Sequence, residues 1–514
     1  MTSTTPIGAI ATPHSSATEV GSAVLRAGGN AIDAAIAAAL ALCVTYPNNV
    51  ALGSDLVALV TTPDGGVIEI NATGGAPIHA TLEQMRERHG DALPMYGVDT
   101  INVPGAVRGL QALLELGGTK SWAELVQPAA RLAREGVPLP SSVAKGIRAL
   151  ESEMLVDPGC REVFFDDGRP LDEGELFQQE ALARTLTQIA ENGPDEFYTG
   201  EVGSSWLGTL QSMGSLLTEQ DLADYRPVIG EALTLNVGRY RISSSGPNTQ
   251  GFALPRAVRQ AGSLDADGQQ RIDRFELALA FRDINAVRDQ YLGDPKFGCM
   301  SGQELLDVAV PERVDAQYRG RPMGDTIGIA VSSADGYAVS LIQSVYFQFG
   351  SAVLDPRTGI LFQNRGTSFS LDRRAANCFA PAKRPSHTLM PVLIHDADRL
   401  RWVSATMGGQ GQPQIHAQLL AAALEGSDPL AAVQAPRWLV GKQTPSDMPH
   451  TVTAEAGVDD ALLERLAEAG MHIKRIDALS DVVGHANLIE LHENGEVFAA
   501  SDPRSDGSAE VVFA

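Results

Sequence analysis

Two hydroxyl side chains in a predicted β-hairpin are the residues of this chain with the clearest chemical potential. The runs TIGIAVS (326–332) and YAVSLIQSVYF (337–347) alternate with the period of strands and flank SADG, a turn sequence. A three-residue loop pairs Ser333 with Tyr337 and therefore Thr326 with Ser344, within contact distance on one face. A hydroxyl becomes a nucleophile when a base activates it. A one-residue slip in register would separate the two groups, and both could then be ordinary strand residues.

The elements around this hairpin mix helices and strands. Helical spacing at 16–25 and 30–44, with Gly28-Gly29 between, predicts an αα-hairpin whose Ala-rich second helix is buried. Segments 56–62 and 66–72 flank Pro63-Asp64-Gly65 and predict a β-hairpin. Helical patterns dominate from 82 to 300, with one strand-like stretch at 231–244. After the hairpin at 326–347, the remaining predicted elements come in this order: strands at 389–395 and 401–406, a Gly-rich loop and helix at 408–425, a helix at 459–469, and strands at 471–476, 487–491 and 496–500.

Composition excludes several classes of protein. The 514 residues include 63 acidic and 39 basic side chains, a formal charge of −24, which argues against a nucleic-acid binder or an anionic-membrane binder. Four dispersed cysteines, with no CxxC pair, argue against a disulfide framework. The N-terminal residues lack the pattern of a signal peptide and no apolar run reaches membrane length, so we expect a soluble cytoplasmic protein. The ten histidines show no ligand spacing, and we expect no metal site.

The chain resembles the γ-glutamyltranspeptidase family of N-terminal-nucleophile (Ntn) hydrolases. The matching segments occur in family order and span nearly the whole chain: 11–47, GAP (75–77), NVPGAVRGL (102–110), 326–351, TGILFQNRGTSFSLD (358–372), KRPSHTLMP (383–391), MGGQGQPQ (407–414) and APRW (435–438). The resemblance implies a four-layer αββα sandwich of the α/β (α+β) class. It also implies a precursor that cuts itself before a threonine.

This resemblance assigns the cut to Asp325-Thr326. Residues 1–325 would become a large subunit and residues 326–514 a small one, and the two would form a heterodimer within one intertwined αββα domain. The liberated α-amine of Thr326 has a reference pKa of about 7.7–8.0 and could serve as the base for the hydroxyl of the same residue. Neither a metal nor an organic cofactor is required.

Other site residues follow from the same resemblance. Backbone N–H groups of Gly408 and Gly409 would bind the oxyanion, although the pair could also be a plain tight turn. Ser344 would steer the nucleophile. Asn364 and Thr388 fall in pocket-lining segments. His387 beside them is expected to be a hydrogen-bonded structural residue, since the mechanism already has an amine as its base.

The sequence departs from the family at the glutamate-binding positions. Thr73 and Ser368 occupy the places of the arginine and aspartate that hold the glutamate α-carboxylate and α-amine, and Asp55 falls near the expected pocket. Two lost charge-assisted contacts, worth about 1.5–3 kcal/mol each, argue against glutathione as the main substrate. Arg365 in QNRG is the compensating candidate, since a guanidinium clamps carboxylates; a structural salt bridge is the alternative. This QNRG form resembles a branch of oxamate-type amidohydrolases.

The predicted function is therefore an autoprocessed threonine hydrolase that cleaves an amide of a small acidic substrate through an acyl-enzyme ester. Three alternatives stay open at this point. The first is a C–C hydrolase that removes an oxalo-type group in an alkylproline antibiotic pathway. The second is γ-glutamyl transfer or hydrolysis, and the third is an unprocessed, non-catalytic scaffold.

Overall fold

A computed structural model describes residues 5–265, 268–312, 325–444 and 446–514. Its two large β-sheets stack face to face between two layers of helices, which confirms the predicted four-layer αββα sandwich. We call the sheets A and B. In spatial order, sheet A consists of Ser508–Phe513, Pro6–Thr12, Asp325–Ser333, Ala338–Tyr346, Asp55–Thr61, Val67–Ala72 and Val228–Glu231. Sheet B consists of Val497–Ser501, His485–Leu491, Arg399–Met407, Val392–Asp396, Tyr240–Ser244 and Leu233–Val237.

Helices cover the outer face of each sheet. The core against sheet A includes helices Ser15–Arg26, Ala31–Thr45, Ala106–Gly117, Trp122–Glu135, Glu180–Asn192 and Glu201–Ser212. The core against sheet B includes Ala253–Ala261, Arg274–Tyr291, Gln412–Leu424, Pro429–Gln434 and Asp460–Glu468. The remaining α-helices are Leu82–His89, Ser141–Ala149, Glu151–Met154, Pro158–Phe164, Glu219–Asp224 and Gly302–Asp307, and short 3₁₀ turns include Arg365–Ser368 and Gly409–Gly411.

The smaller strands lie outside the two main sheets. They form the pairs Val137–Pro138 with Leu176–Phe177, Phe165–Asp166 with Arg169–Pro170, Gly262–Leu264 with Gln270–Ile272, and Leu354–Asp355 with Ile360–Leu361. Trp438–Val440, Thr451–Glu455 and His472–Ile476 make a three-stranded sheet.

The predicted αα-hairpin is present at the centre of the helical layer. Every residue of Ala31–Thr45 is buried, as its Ala-rich sequence indicates. Asn30 starts the helix: its side chain accepts hydrogen bonds from the backbone of Ile32 and Asp33, while Asp33 accepts one from the Asn30 backbone. The small side chains let the helix pack closely on the strand pair that carries Thr326.

The face between the two sheets is a narrow apolar layer. Ala330, Ile342, Leu393 and Val403 meet there with no exposure to solvent. Since side chains alternate across a strand, Thr326 and Ser344 project toward the same layer as Ala330 and Ile342. The nucleophile candidate therefore lies between the sheets, at the end of a packed core.

Three strands of sheet A fall outside the sequence prediction: Pro6–Thr12, Ser508–Phe513 and Val228–Glu231, the last of which meets the predicted stretch 231–244 only at its final residue. Pro6–Thr12 and Ser508–Phe513 pair with each other, and the first also pairs with the strand Asp325–Ser333. Their partners are hundreds of residues away, so no local pattern identifies them. The stretch predicted as one strand at 231–244 is two strands, Leu233–Val237 and Tyr240–Ser244, because the chain reverses at Gly238, whose φ is 60°.

The four cysteines carry no disulfide in the structure. Cys43 and Cys160 are buried, and Cys299 and Cys378 are partly exposed. Among the helices of the described residues, none has both the length and the apolar character needed to cross a bilayer.

Candidate active site

The hydroxyl groups of Thr326 and Ser344 are in hydrogen-bond contact. Ile327 pairs with Gln343, the register that the three-residue loop predicts. Thr326 Oγ1 donates to Ser344 Oγ over 3.2 Å, and both side chains are at most 3% exposed. Ser344 Oγ also accepts the Tyr346 backbone N–H at 2.7 Å and donates to the carbonyl oxygen of Asp325. One hydroxyl thus touches both the nucleophile candidate and the peptide that precedes it.

A β-bulge fixes this arrangement. Asp325 pairs with Tyr346, so Ser344 and Val345 together oppose the single residue Thr326. The bulged Val345 is held elsewhere, because its N–H donates to the Asn49 carbonyl at 3.0 Å. Tyr346 follows with φ at 84°, a conformation that costs a non-glycine residue about 1–3 kcal/mol. Such strain is typical of functional sites, and here it turns the Tyr346 ring toward the pocket side chains.

Asp325 is a partly buried acid. Burial raises the pKa of its side-chain carboxyl to about 7, and the neighbouring Asp481 adds to the shift, while hydrogen bonds with Gln348 oppose it. The backbone carbonyl carbon of Asp325 is the atom that Thr326 Oγ1 would attack in self-cleavage. With the Ser344 hydroxyl on the carbonyl oxygen, a donor is already in place for the negative charge that develops there.

Arg365 places a buried guanidinium beside the bulge. Its Cζ lies 3.8 Å from the centroid of the Tyr346 ring, a cation–π contact. Its Nε donates to the Ser386 carbonyl at 3.1 Å, and its Nη1 donates to Thr388 Oγ1 at 3.3 Å. The side chain is 2% exposed. A fixed positive charge therefore lies over the ring of Tyr346, the residue whose backbone N–H donates to Ser344 Oγ.

Asp55 and His387 form a buried pair at the same site. Asp55 is the cross-strand neighbour of Ser344, and its Oδ2 lies 3.1 Å from His387 Nε2. His387 Nδ1 accepts the Leu389 N–H at 3.3 Å, so Nε2 carries the ring proton and donates to the carboxyl group.

Burial shifts the pKa values of Asp55 and His387 in opposite directions, and each shift favours the neutral form of the side chain. Burial, followed by the charges of Arg365 and Arg384, lowers the pKa of His387 well below its usual value, so the ring is neutral at physiological pH. Burial raises the pKa of Asp55 to about 7, against hydrogen bonding from Gly74 and the charge of Arg365. Both ring nitrogens of His387 are thus hydrogen-bonded, and its structural rather than catalytic role stays a prediction.

Gly408 and Gly409 follow the end of a sheet B strand, Arg399–Met407. Their φ angles of 149° and 51° favour glycine, and a Cβ on Gly408 would lie 2.5 Å from the Ile415 side chain. Neither backbone N–H donates a hydrogen bond to any residue that the structure describes, whereas the Gly409 carbonyl accepts one from Gln250 Nε2 at 2.8 Å. The two amides are thus available as donors to a ligand.

The sheets approach closely near this turn. A Cβ on Gly328 would lie 2.7 Å from the Thr406 backbone nitrogen, so only glycine fits there. Thr326 and Gly408 are each two residues from that contact. The two backbone amides and the threonine hydroxyl therefore belong to one region between the sheets.

Comparisons with known proteins show the family of the chain. A sequence model of the family described as Gamma-glutamyltranspeptidase matches residues 17–512. The chain belongs to the gamma-glutamyltranspeptidase family. It is thus an Ntn-hydrolase enzyme of a family whose proenzymes cut themselves into two subunits, which argues against the non-catalytic scaffold.

Three relatives cover nearly all of the chain. The oxamate amidohydrolase proenzyme of Klebsiella pneumoniae subsp. pneumoniae is 34% identical over 98% of both chains. The glutathione hydrolase-like YwrD proenzyme of Bacillus subtilis is 32% identical over 97% of both. The crystal structure of cephalosporin acylase from Bacillus halodurans superimposes with a TM-score of 0.87 and 31% identity, and covers 99% of this chain and 96% of its own.

Thr73 and Ser368 stand at the positions where the gamma-glutamyltranspeptidase family is expected to have its glutamate-binding arginine and aspartate. Both side chains are uncharged and hydrogen-bond within the protein. Thr73 Oγ1 donates to the side-chain oxygen of Asn71 at 2.6 Å. Ser368 Oγ donates to the Arg365 carbonyl at 2.9 Å and to the Ser386 carbonyl at 3.2 Å. Neither offers a charge to an amino-acid substrate.

The two remaining predicted pocket residues differ in their contacts. Thr388 touches the Arg365 guanidinium. Asn364 binds backbone instead: its Oδ1 accepts the Phe347 N–H at 3.2 Å, and its Nδ2 donates to the Met95 carbonyl at 2.8 Å. The side-chain amide of Asn364 therefore holds in place the loop that leads to Arg365.

Three residues of this candidate site were not predicted from the sequence. Gln250 Nε2 donates to the carbonyls of Thr388, at 2.9 Å, and Gly409, and so links the pocket to the glycine turn. Asn49 Nδ2 donates to the Thr326 carbonyl at 3.3 Å. Tyr346 carries the cation–π contact. The segment YPNN after the buried helix was a signal for Asn49; Gln250 had none.

No cluster of three or more His, Cys, Asp or Glu side chains that could hold a metal occurs in the part of the chain that the structure describes. The chemistry of the site is accordingly argued from its hydroxyls, backbone amides and charged side chains.

Proposed function

We propose that this enzyme matures by cleavage of the Asp325-Thr326 bond and then hydrolyses amides of small acids, with Thr326 as the nucleophile. The hydrogen-bonded triad of Thr326 Oγ1, Ser344 Oγ and the Asp325 carbonyl supports the maturation step. Attack of Oγ1 on the Asp325 carbonyl carbon would give an ester. Water would then hydrolyse this ester, leaving an Asp325 carboxylate and the free α-amine of Thr326.

In the mature enzyme the α-amine would accept the proton of Thr326 Oγ1 as the hydroxyl attacks the substrate amide. The backbone amides of Gly408 and Gly409 would stabilise the oxyanion, a role that their lack of partners among the described residues supports. The leaving amine would take the proton, and water would hydrolyse the acyl-enzyme. The subunits would be residues 1–325 and 326–514, held together in one αββα domain.

Arg365 is the observation that carries the choice of substrate. Its guanidinium is fixed by Ser386, Thr388 and the Tyr346 ring, and Tyr346 in turn donates its N–H to Ser344. A guanidinium binds a carboxylate through its paired N–H donors. Thr73 and Ser368 offer no charges for an α-carboxylate and an α-amine. We therefore propose an acyl group with a short carboxylate and no amino group, such as oxalyl or glutaryl. The name of the oxamate amidohydrolase relative agrees with this class.

The experiment compares substrates and variants. Purified enzyme is supplied with oxamate, a glutaryl amide and a γ-glutamyl amide, and release of ammonia or amine is followed. We expect kcat/KM for a carboxylate-bearing amide without an α-amine to exceed that for the γ-glutamyl amide. Arg365→Gln should lower it by about tenfold or more, through the loss of one charge-assisted contact.

Arg256→Gln is the matched control, because Arg256 is equally buried, donates to the carbonyls of Leu305 and Val308, and belongs to the helix layer of sheet B. Intact mass of the fragments reports whether each variant has matured. Faster turnover of the γ-glutamyl amide, or equal loss in both variants, would contradict the assignment of Arg365. A Thr326→Ala protein that still yields two fragments would overturn the nucleophile itself.

A further inference from the structure

A second cleft lies outside the site between the sheets. It has a volume of about 500 Å³ and opens between three helices, Trp122–Glu135, Glu180–Asn192 and Glu201–Ser212, and the turn that contains Arg357 and Thr358. Arg134 and Arg184 line it with Arg357. None of these residues belongs to the catalytic arrangement.

The charge of this cleft is opposite to that of the protein. The chain carries a formal charge of −24, yet three arginines converge here and Glu201 is the one acidic residue among the described residues of the lining. Many arginines elsewhere pair with acids, such as Arg148 with Asp172. Within the described residues, Arg134, Arg184 and Arg357 make no ion pair. Like charges gathered in this way repel one another, and an anion relieves the repulsion.

Neighbouring groups hold the cationic walls in place. Arg134 donates to Thr187 Oγ1 at 3.0 Å, which orients its side chain. Thr185 Oγ1 donates to the Thr358 carbonyl at 2.8 Å and fastens the turn to the helix. The first turn of Glu201–Ser212 also lines the cleft, and it is fixed in place because the Val202 N–H donates to Glu196 Oε1 at 3.0 Å.

We propose that this cleft binds a small anion with two or more negative groups. Guanidinium groups take phosphates and carboxylates in the same bidentate geometry, so a diphosphate and a polycarboxylate share the chemistry that the three arginines recognise. The site stands on its own residues and does not depend on the identity of the acyl substrate.

Isothermal titration calorimetry of the purified, processed enzyme with pyrophosphate, and separately with citrate, at constant ionic strength tests the proposal. We expect one saturable site per heterodimer for at least one anion, and the tighter of the two identifies a phosphoryl or a carboxylate ligand. The double variant Arg184→Gln/Arg357→Gln should bind about tenfold more weakly or worse. Amide hydrolysis is measured in parallel and should be unchanged, which separates this site from the one around Arg365.

Arg131→Gln is the matched control, because Arg131 is exposed on the same helix as Arg134 but does not line the cleft. Its affinity for the anion should equal that of the unmodified enzyme, and thermal unfolding checks that each variant is folded. Absence of saturable binding of both anions at millimolar concentration would overturn the proposal. So would equal loss of affinity in Arg131→Gln and the double variant, which indicates diffuse attraction.

Discussion

Replacement of Ser344 by alanine should slow maturation far more than it destabilises the fold. Ser344 Oγ donates to the Asp325 carbonyl oxygen, which would become the oxyanion when Thr326 attacks. Loss of one such donor slows acyl transfer by about 10²–10³-fold, or about 2.7–4 kcal/mol of transition-state stabilisation. The variant also leaves the buried N–H of Tyr346 without its acceptor, at a cost of about 1–3 kcal/mol in the free energy of unfolding.

The same strand provides the control. Ser340 is buried on the same face, donates to the Ser404 carbonyl at 2.7 Å and accepts the Val392 N–H at 3.1 Å. Ser340→Ala should therefore lose a similar amount of stability but mature at the normal rate. The assay follows conversion of the 514-residue precursor into fragments 1–325 and 326–514 by denaturing gel and intact mass. Maturation of Ser344→Ala at the normal rate, or equal slowing in Ser340→Ala, would refute the reasoning.

Two predictions concern buried charges. Burial raises the pKa of Glu69 to about 7, from a reference of 4.5, so its contribution to the free energy of unfolding is present below pH 4.5 and is lost as pH rises through 7. Glu69→Gln should reduce the loss of unfolding free energy between pH 5 and pH 8 by up to about 3 kcal/mol, as measured by urea titrations at both pH values. The same loss in the variant and the unmodified protein would contradict the prediction. Arg504 pairs with Glu455 at 2.6 Å with neither side chain exposed, so Arg504→Gln should lower the free energy of unfolding by about 3–5 kcal/mol. The control is Arg475→Gln, which removes an exposed ion pair and should change the free energy of unfolding by at most about 1 kcal/mol. Urea unfolding midpoints compare the two variants, and equal destabilisation would contradict the prediction for Arg504.

Local pattern was sufficient where an element and its partner are neighbours in the chain. The SADG turn fixed the register of the hairpin as far as Ile327, and the structure has that register. The bulge at Ser344 and Val345 was not predicted, because it depends on backbone contacts from Asn49 and Asn364, which lie far away in the sequence. The bulge decides where the Ser344 hydroxyl points, so this part of the site needed the tertiary structure.

By itself, the sequence determined the alternation of helices and strands, the buried Ala-rich helix, and the motifs that indicate the family. The helices and strands follow from periodicity and turn chemistry within a few residues, whereas the family follows from the resemblance of its motifs. The tertiary structure alone decided that Asp55 meets His387, 332 positions away, and that the Arg365 guanidinium lies over the Tyr346 ring. Such contacts arise only when the two sheets stack, because burial and packing between distant segments leave no local trace.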